Sequence, residues 1–258
     1  MRLTVLGSGT AAPSRRRGAP GYLLETGNEK VLIDCGAGTL DRLLRSGCDP
    51  GDIQRVVLTH HHLDHFGELG HLLFSARLPE HGRRRPLTLA GSRPLLDVVA
   101  DYQGLFGHWL RPENFTLTLH DLDGSALAGD GYTLSGHPVT HIPSSRALRF
   151  VEDSGAVVVF SGDTDVCDGV VEAAQDADLF VCEASFPEGQ GRPGHLVPSQ
   201  AGDLARRAGV RRLLLSHLYP ECDEVDMMGP AAAACRIPVS VAEDGIVMEI
   251  RATGRAAG

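Results

Sequence analysis

The sequence predicts an α/β fold in layers, a single four-layered domain over residues 1–258. Three observations predict it. Short runs rich in valine, isoleucine and leucine recur between Gly-, Pro- and Asp-rich breaks, as strands do. Segments of helical length and helical apolar spacing lie between some of them. Several runs are apolar throughout instead of alternating, which places them under cover on both faces.

In chain order, the strands open with RLTVLG (2–7), YLLET (22–26) and VLIDCG (31–36), and a helix follows from Gly38 to Arg45. RVVLTH (55–60) precedes a helix over His65 to Leu78, and PLTLAG (86–91) one over Arg93 to Gly104. Then come FTLTLH (115–120), YTLSG (132–136), LRFVED (148–153) and AVVVFSGD (156–163), with a helix from Val166 to Gln175. LFVCEAS (179–185) leads to a helix over Pro198 to Ala208, entered through VPSQAGD with proline and serine at its start. RLLLSH (212–217), IPVSV (237–241) and IVMEI (246–250) complete the strands. No linker or short repeat divides the chain, and each half gives strands first and strand–helix units later.

Composition narrows the function classes. Hydrophobic residues make up 42% and charged residues 22%, and no apolar run approaches the roughly 20 residues a bilayer crossing needs, so the chain reads as soluble with no membrane partner. MRLTVLGSGTAAPS is too soon broken by glycine for a signal segment, which favours the cytoplasm. Cys35, Cys48, Cys167, Cys182, Cys222 and Cys235 lack close spacing and read as reduced thiols, mostly buried. A net charge of −9 excludes an all-over basic nucleic-acid binder. Arg15 to Arg17 and Arg83 to Arg85 read as solvated loops, with phosphate steering the alternative.

The chemistry gathers where strands end. RVVLTH delivers His60, AVVVFSGD delivers Asp163 and RLLLSH delivers His217, and in layered α/β folds ligands bind beyond the carboxyl ends of strands. In LTHHHLDHFGELGH, His60 and His62 are two apart and share a side if the chain is extended, whereas Asp64 and His65 turn with the loop as a helix begins. His61 points away from them. One tetrahedral ion takes four donors, too few to use this set; two ions a few ångström apart can. Imidazole with carboxylate suits zinc, or manganese or iron where oxygen donors dominate.

THHHLDH resembles the HxHxDH signature of the metallo-β-lactamase superfamily, with His60, His62, Asp64 and His65 in the signature positions. LIDCG, with Asp34, resembles the upstream aspartate that supports the metal loop through hydrogen bonds; SGDT resembles the bridging carboxylate at Asp163; LLLSHL resembles the last metal histidine at His217. CEASF followed by GHLVPSQAGDLARRAGVRRLLLSHL is similar to the ribonuclease Z-like phosphodiesterase branch, in which a histidine before this helix, here His195, assists cleavage. Glu183 matches that branch's glutamate, although Cys182 replaces the usual histidine beside it. For the third metal histidine the pattern fits His141 with Pro143, Ser144 and Arg149, while His137 with Pro138 offers the alternative. Residues 142–162 leave room for a hairpin and none for the arm that grips transfer RNA, so the chain resembles the short members, including atypical bacterial cyclic-nucleotide phosphodiesterases.

The resemblance implies a four-layer αββα sandwich, two mixed sheets flanked by helices. It implies two divalent ions, one held by His60, His62 and His141, the other by Asp64, His65 and His217, with Asp163 between them and a shared water ionised for attack. Asp64 would orient that water, His195 would assist the leaving group, and Asp34 and Glu183 would act through other side chains: Asp34 by fixing a ligand ring, Glu183 by holding His195. The implied substrate is a cyclic nucleotide, another small phosphodiester or an RNA 3′ end, and the implied assembly a homodimer. A transfer-RNA 3′-endonuclease and an acyl hydrolase such as a lactonase or thioesterase are the competing activities. His71, His81, His108 and His120 match no motif and read as surface or packing. Phe106, Trp109 and Phe115 read as core, with a pocket wall or dimer contact as the alternative.

Overall fold

A computed structural model describes residues 1–78 and 83–252; His81 lies outside the described residues. Its strands form two sheets. The first contains β1 (Arg2–Gly7), β2 (Gly21–Thr26), β3 (Glu29–Ile33), β4 (Arg55–Val57), β5 (Leu87–Gly91) and β6 (Leu117–Asp121) in that spatial order. The second runs β7 (Leu127–Ala128), β8 (Tyr132–Pro138), β9 (Arg146–Glu152), β10 (Val157–Phe160), β11 (Leu179–Glu183), β12 (Leu213–Ser216) and β13 (Val239–Val241). The last strand, β14 (Val247–Glu249), returns to the first sheet beside β1.

The helices are α1 (Thr39–Arg45), α2 (Leu63–Phe66), α3 (Leu69–Ala76), α4 (Arg93–Phe106), α5 (Asp168–Ala174), α6 (Pro198–Arg207) and α7 (Met228–Cys235). Three apolar cores define the layers. Leu3, Leu24, Ile33 and Val57 of one sheet meet Leu134, Phe150, Val158 and Leu214 of the other in the middle. Leu32, Val56 and Leu89 face outward onto Leu43, Leu72 and Val99 of the helices, and Phe180, Leu213 and Leu215 onto Val170, Leu204 and Ala231. Strands such as β10 and β11 therefore bury both faces, which is why they read as continuous apolar runs. The αββα order of layers agrees with the expected fold class.

Three departures have physical causes. The expected helix over His65 to Leu78 is two helices, α2 and α3, separated at Gly67 and Glu68; α2 carries Asp64 and His65, and His62, in extended conformation, caps its start. Helix α7 was not expected, since MGPAAAAC has no amphipathic stripe; it is held by close approach to α6, where a Cβ at Gly202 would lie 2.4 Å from the carbonyl oxygen of Ala231. Strand β7, at two residues, is too short to leave a periodic signal.

Topology supplies the site. β3 is parallel to β4, and β10, β11 and β12 are parallel to one another, so the chain after each of these strands emerges at a shared edge. The antiparallel pair β9–β10 closes through residues 153–156, a tight hairpin.

Candidate metal centre

Five strand ends meet at that edge. Asp34 follows β3, His60 follows β4, Asp163 follows β10, Glu183 closes β11 and His217 follows β12. Asp34 and His217 both hold φ in the left-handed region, at 55° and 56°, a conformation uncommon outside glycine that the surrounding contacts must enforce. The reward is direction: each strand stops and its next side chain turns inward.

Asp163 stands at the middle, 2% exposed. Its Oδ2 lies 3.6 Å from His60 Nε2 and 3.7 Å from His141 Nε2, and its Oδ1 lies 3.2 Å from His65 Nε2 and 3.3 Å from His217 Nε2. The two oxygens thus face two different sets of imidazoles. His62 Nδ1 is 3.1 Å from His141 Nε2 on the first side, and Asp64 Oδ2 is 3.4 Å from His217 Nε2 on the second. The candidate donors of His60, His62, His141 and Asp163 all lie within 4.8 Å of one another, as do those of Asp64, His65 and His217.

Behind the donors, most rings are tied at their other nitrogen. His65 Nδ1 donates to Asp34 Oδ2 at 2.8 Å, which leaves Nε2 as the nitrogen that faces the cluster. Asp34 Oδ1 accepts from the Thr59 backbone N–H at 2.8 Å, which also fixes the chain carrying His60. His141 Nδ1 donates to the Gly194 carbonyl at 3.0 Å, and His60 Nδ1 lies 3.0 Å from Thr59 Oγ1. Ser185 Oγ donates to Glu183 Oε2 at 2.5 Å and lies 2.9 Å from His217 Nδ1, whose proton it can accept.

Charge follows geometry. Burial opposes ionisation of Asp163, but the facing His217, His65 and His60 outweigh it and hold the carboxyl well below its ordinary value. Burial also opposes charge on His65, yet Asp163 and Asp34 outweigh it and favour positive charge there. His60, buried and set against other imidazoles, is pushed well below the ordinary histidine value and keeps a neutral ring. His60 Nε2 and Asp163 Oδ1 are buried with no hydrogen-bond partner, although they face other donors at ion-pair distance. A buried polar atom without a partner is costly unless something else binds it. This set of imidazoles, carboxylates and unpartnered buried atoms fits a divalent cation, whose charge would take the place of the proton that Asp163 and Asp34 favour on His65.

His195 stands beside the cluster. Its Nδ1 is 3.1 Å from Glu183 Oε1, and its ring lies 5.8 Å from that of His217, nearly parallel at 12°. Glu183, 2% exposed, also accepts the backbone N–H groups of Thr164 at 2.7 Å and Leu196 at 3.2 Å. Burial disfavours protonation of His195, but the hydrogen bond and charge of Glu183 prevail and raise it above the ordinary histidine value.

Of the two candidate loop histidines, His141 is in the cluster; His137 stays on β8, 3.0 Å from Ser135 Oγ. His61 turns away, 2.8 Å from Ser144 Oγ. Arg149 donates to the carbonyls of Ala173 and Gln175 at the end of α5, away from the centre. Cys182 packs into the outer helical core, so a small apolar side chain suits its position. Sequence reading missed Ser185, Thr59 and Gly194; the first lies two residues beyond Glu183, on the same side of an extended chain, which is the signal that could have found it.

Residues 29–218 match the family model described as a beta-lactamase superfamily domain. The chain belongs to that superfamily. Within this family of hydrolases it stands in the ribonuclease Z-like group: ribonuclease Z of Mycobacterium bovis (strain BCG / Pasteur 1173P2) is 30% identical over 242 residues, covering 85% of this chain and 86% of that protein. The uncharacterized protein Rv1339 of Mycobacterium tuberculosis (strain ATCC 25618 / H37Rv) is 33% identical over 270 residues, covering 98% of this chain and 94% of that protein. The crystal structure of the metallo-β-lactamase fold protein YhfI from Bacillus subtilis matches with a TM-score of 0.82 at 25% identity, covering 96% of this chain and 99% of that one. This superfamily member has, among its described residues, no helix long and apolar enough to cross a membrane.

Proposed function

We propose that the chain is a phosphodiesterase using two divalent cations, most simply zinc, with manganese or iron also suited. His60, His62 and His141 would hold one ion, Asp64, His65 and His217 the other, and Asp163 would offer one oxygen to each. When bound, such ions neutralise phosphate oxygens and lower the pKa of water toward about 7, so that a nucleophile exists at neutral pH.

The remaining work falls to the chain's own side chains. Asp64 orients the attacking water through its carboxylate. His195 engages Glu183 through Nδ1, which leaves Nε2 as the nitrogen that presents a proton to the leaving oxygen. Glu183 keeps that proton in place by favouring the charged ring. The observation that carries the reading is this His195–Glu183 pair: an imidazole poised to donate, beside the donor cluster, serves an alkoxide leaving group. Acyl hydrolysis remains the second chemical class, since a hydrolytic water can attack a carbonyl as well as a phosphate.

The substrate class we favour is a cyclic nucleotide or another small phosphodiester. A transfer-RNA 3′-endonuclease draws support from the ribonuclease Z relative, but the β9–β10 hairpin closes through residues 153–156 and carries no arm. A cytoplasmic homodimer goes with this reading; exposed Leu105, Phe106 and Trp109 support the dimer, which light scattering would test.

The deciding experiment couples metal analysis to a panel of bis-p-nitrophenyl phosphate, cyclic mononucleotides, a transfer-RNA precursor and a lactone, each with wild type and His195→Ala. Turnover of diesters that collapses in His195→Ala is the expected result. Diester turnover indifferent to that change removes the role given to His195, and turnover of the lactone alone overturns the reading.

A further inference from the structure

Among the candidate ligand histidines, His62 stands apart. The others are tied at the nitrogen turned away from the cluster: Thr59 Oγ1 lies beside His60 Nδ1, Asp34 beside His65 Nδ1, the Gly194 carbonyl beside His141 Nδ1 and Ser185 Oγ beside His217 Nδ1. His62 turns Nδ1 to the cluster, 3.1 Å from His141 Nε2, and among the described residues no hydrogen bond holds its Nε2. It is also the exposed member of the set. A ring without an outer partner takes its direction from the backbone that carries it.

The chain is held on both sides of His62. Its carbonyl accepts the N–H groups of His65 and Phe66 at 2.9 and 3.0 Å, at the start of α2. On the other side stands His61, whose Nδ1 lies 2.8 Å from Ser144 Oγ. Ser144 is a fixed point. It is fully buried, its carbonyl accepts Ser92 Oγ at 2.8 Å, and the carbonyls of its neighbours Pro143 and Ser145 accept from Arg146 Nη1 at 3.0 and 2.7 Å. Arg146 is itself held by Asp123.

Ser144 belongs to the loop between β8 and β9, which also carries His141. The His61–Ser144 bond therefore joins a loop of the first sheet, bearing His60 and His62, to a loop of the second. A backbone bond from Arg146 N to the Thr59 carbonyl at 3.0 Å joins the same two loops just before His60. The ion assigned to His60, His62 and His141 draws all three imidazoles from these loops, so their separation sets how His62 meets His141. The other ion draws nothing from the loop of His141.

We propose that His61 is a positioning residue: its hydrogen bond to Ser144 stands in for the outer partner that His62 lacks and fixes the His60–His62–His141 side of the centre. This rests on the two-cation part of the proposed function and names what aims one of its donors. A buried hydroxyl left without a partner also costs stability, so metal affinity and stability are read separately.

The test is zinc competition against a chromophoric chelator, with melting temperatures of the metal-free proteins alongside. His61→Ala and Ser144→Ala are each expected to weaken one of the two zinc ions about ten-fold or more and to leave the other within about three-fold. His61→Asn, whose amide reaches the position of Nδ1, is expected to restore affinity to within about three-fold of wild type. The double variant should lose no more than either single alanine change, since both remove the same bond. In His62→Ala, where that ion has already lost a donor, adding His61→Ala should leave the remaining tight ion as it was. Wild-type zinc affinity in His61→Ala with a lowered melting temperature makes His61 a packing residue and overturns the brace, as do equal weakening of both ions and failure of His61→Asn to recover. Ser144→Ala and His61→Asn decide the matter if His61→Ala does not fold. Wild type that takes up fewer than two zinc ions removes the two-cation reading and the brace together, whereas two tight ions indifferent to His61→Ala remove the brace alone.

Discussion

Asp34 accepts the Nδ1 proton of His65 at 2.8 Å and, through its other oxygen, the backbone N–H of Thr59 at 2.8 Å, so one buried carboxylate sets both a ring and the chain that presents His60. Holding the ring in this way leaves His65 Nε2 facing Asp163 and His217. On the proposed metal reading, Asp34→Ala releases the ring and weakens cation binding by about 10–100-fold, the usual range when such an outer partner is lost. Competition against a chromophoric chelator measures this directly. Undiminished affinity in a folded variant would mean that Asp34 serves only the turn after β3.

Ser185 joins Glu183 to His217. Its hydroxyl proton goes to Glu183 Oε2 at 2.5 Å, which leaves a lone pair for His217 Nδ1 at 2.9 Å. Ser185→Ala breaks this link without touching any candidate donor, whereas Ser185→Thr preserves the hydroxyl. Zinc titrations are expected to show one of two sites weakened about ten-fold or more in the alanine variant and largely restored in the threonine variant. If alanine and serine bind alike, the serine is packing.

Much of this centre was legible beforehand, and the reason is local. His60, His62, Asp64 and His65 lie in one stretch, and Asp163 and His217 each follow an apolar strand, so strand ends marked the edge where they would meet. What stayed hidden depends on contacts between distant segments. Nothing in GRPGHLV announces that the Gly194 carbonyl will hold His141, 53 residues away in sequence, because a backbone acceptor has no residue type. The break between α2 and α3 was hidden for a similar cause: helical spacing continues across Gly67, and it is the Cys35 N–H, donating to the His65 carbonyl at 2.6 Å, that fastens the chain there. Helix α7 lacked a stripe altogether.

Gly194 makes a sharper prediction than its carbonyl alone suggests. It holds φ at +83°, and a Cβ there would lie 2.9 Å from His141 Nδ1. Its N–H donates to Asp165 Oδ2 at 3.1 Å, so the loop has little room to retreat. Gly194→Ala therefore pushes on the His141 ring as well as straining the backbone, by about 1–3 kcal/mol for the backbone part. A lowered melting temperature together with weakened binding at the His60–His62–His141 side is expected. A variant with wild-type melting and wild-type zinc affinity would show that the loop yields freely.

Away from the centre, a carboxylate between the two sheets links stability to pH. Glu29 of β3 accepts from Arg55 Nε at 2.6 Å and Nη2 at 3.0 Å, and from the Tyr132 hydroxyl of the opposite sheet at 2.8 Å, so it ties the two sheets at one end. Burial by itself would raise its carboxyl, but the hydrogen bonds from Arg55 and Tyr132 prevail and hold it below the ordinary glutamate value. A carboxyl lowered by folding contributes stability above its unfolded pKa and loses it as pH falls through the folded pKa. The contribution is therefore complete at neutral pH and fades below the unfolded value of about 4.3. Glu29→Gln should be less stable than wild type by about 1.5–3 kcal/mol at pH 7, as charged hydrogen bonds suggest, and the gap should narrow as the medium is acidified. Urea unfolding midpoints of the two proteins across that range supply the check: a gap that stays constant would assign the effect to shape, because only the ionised carboxylate responds to protons.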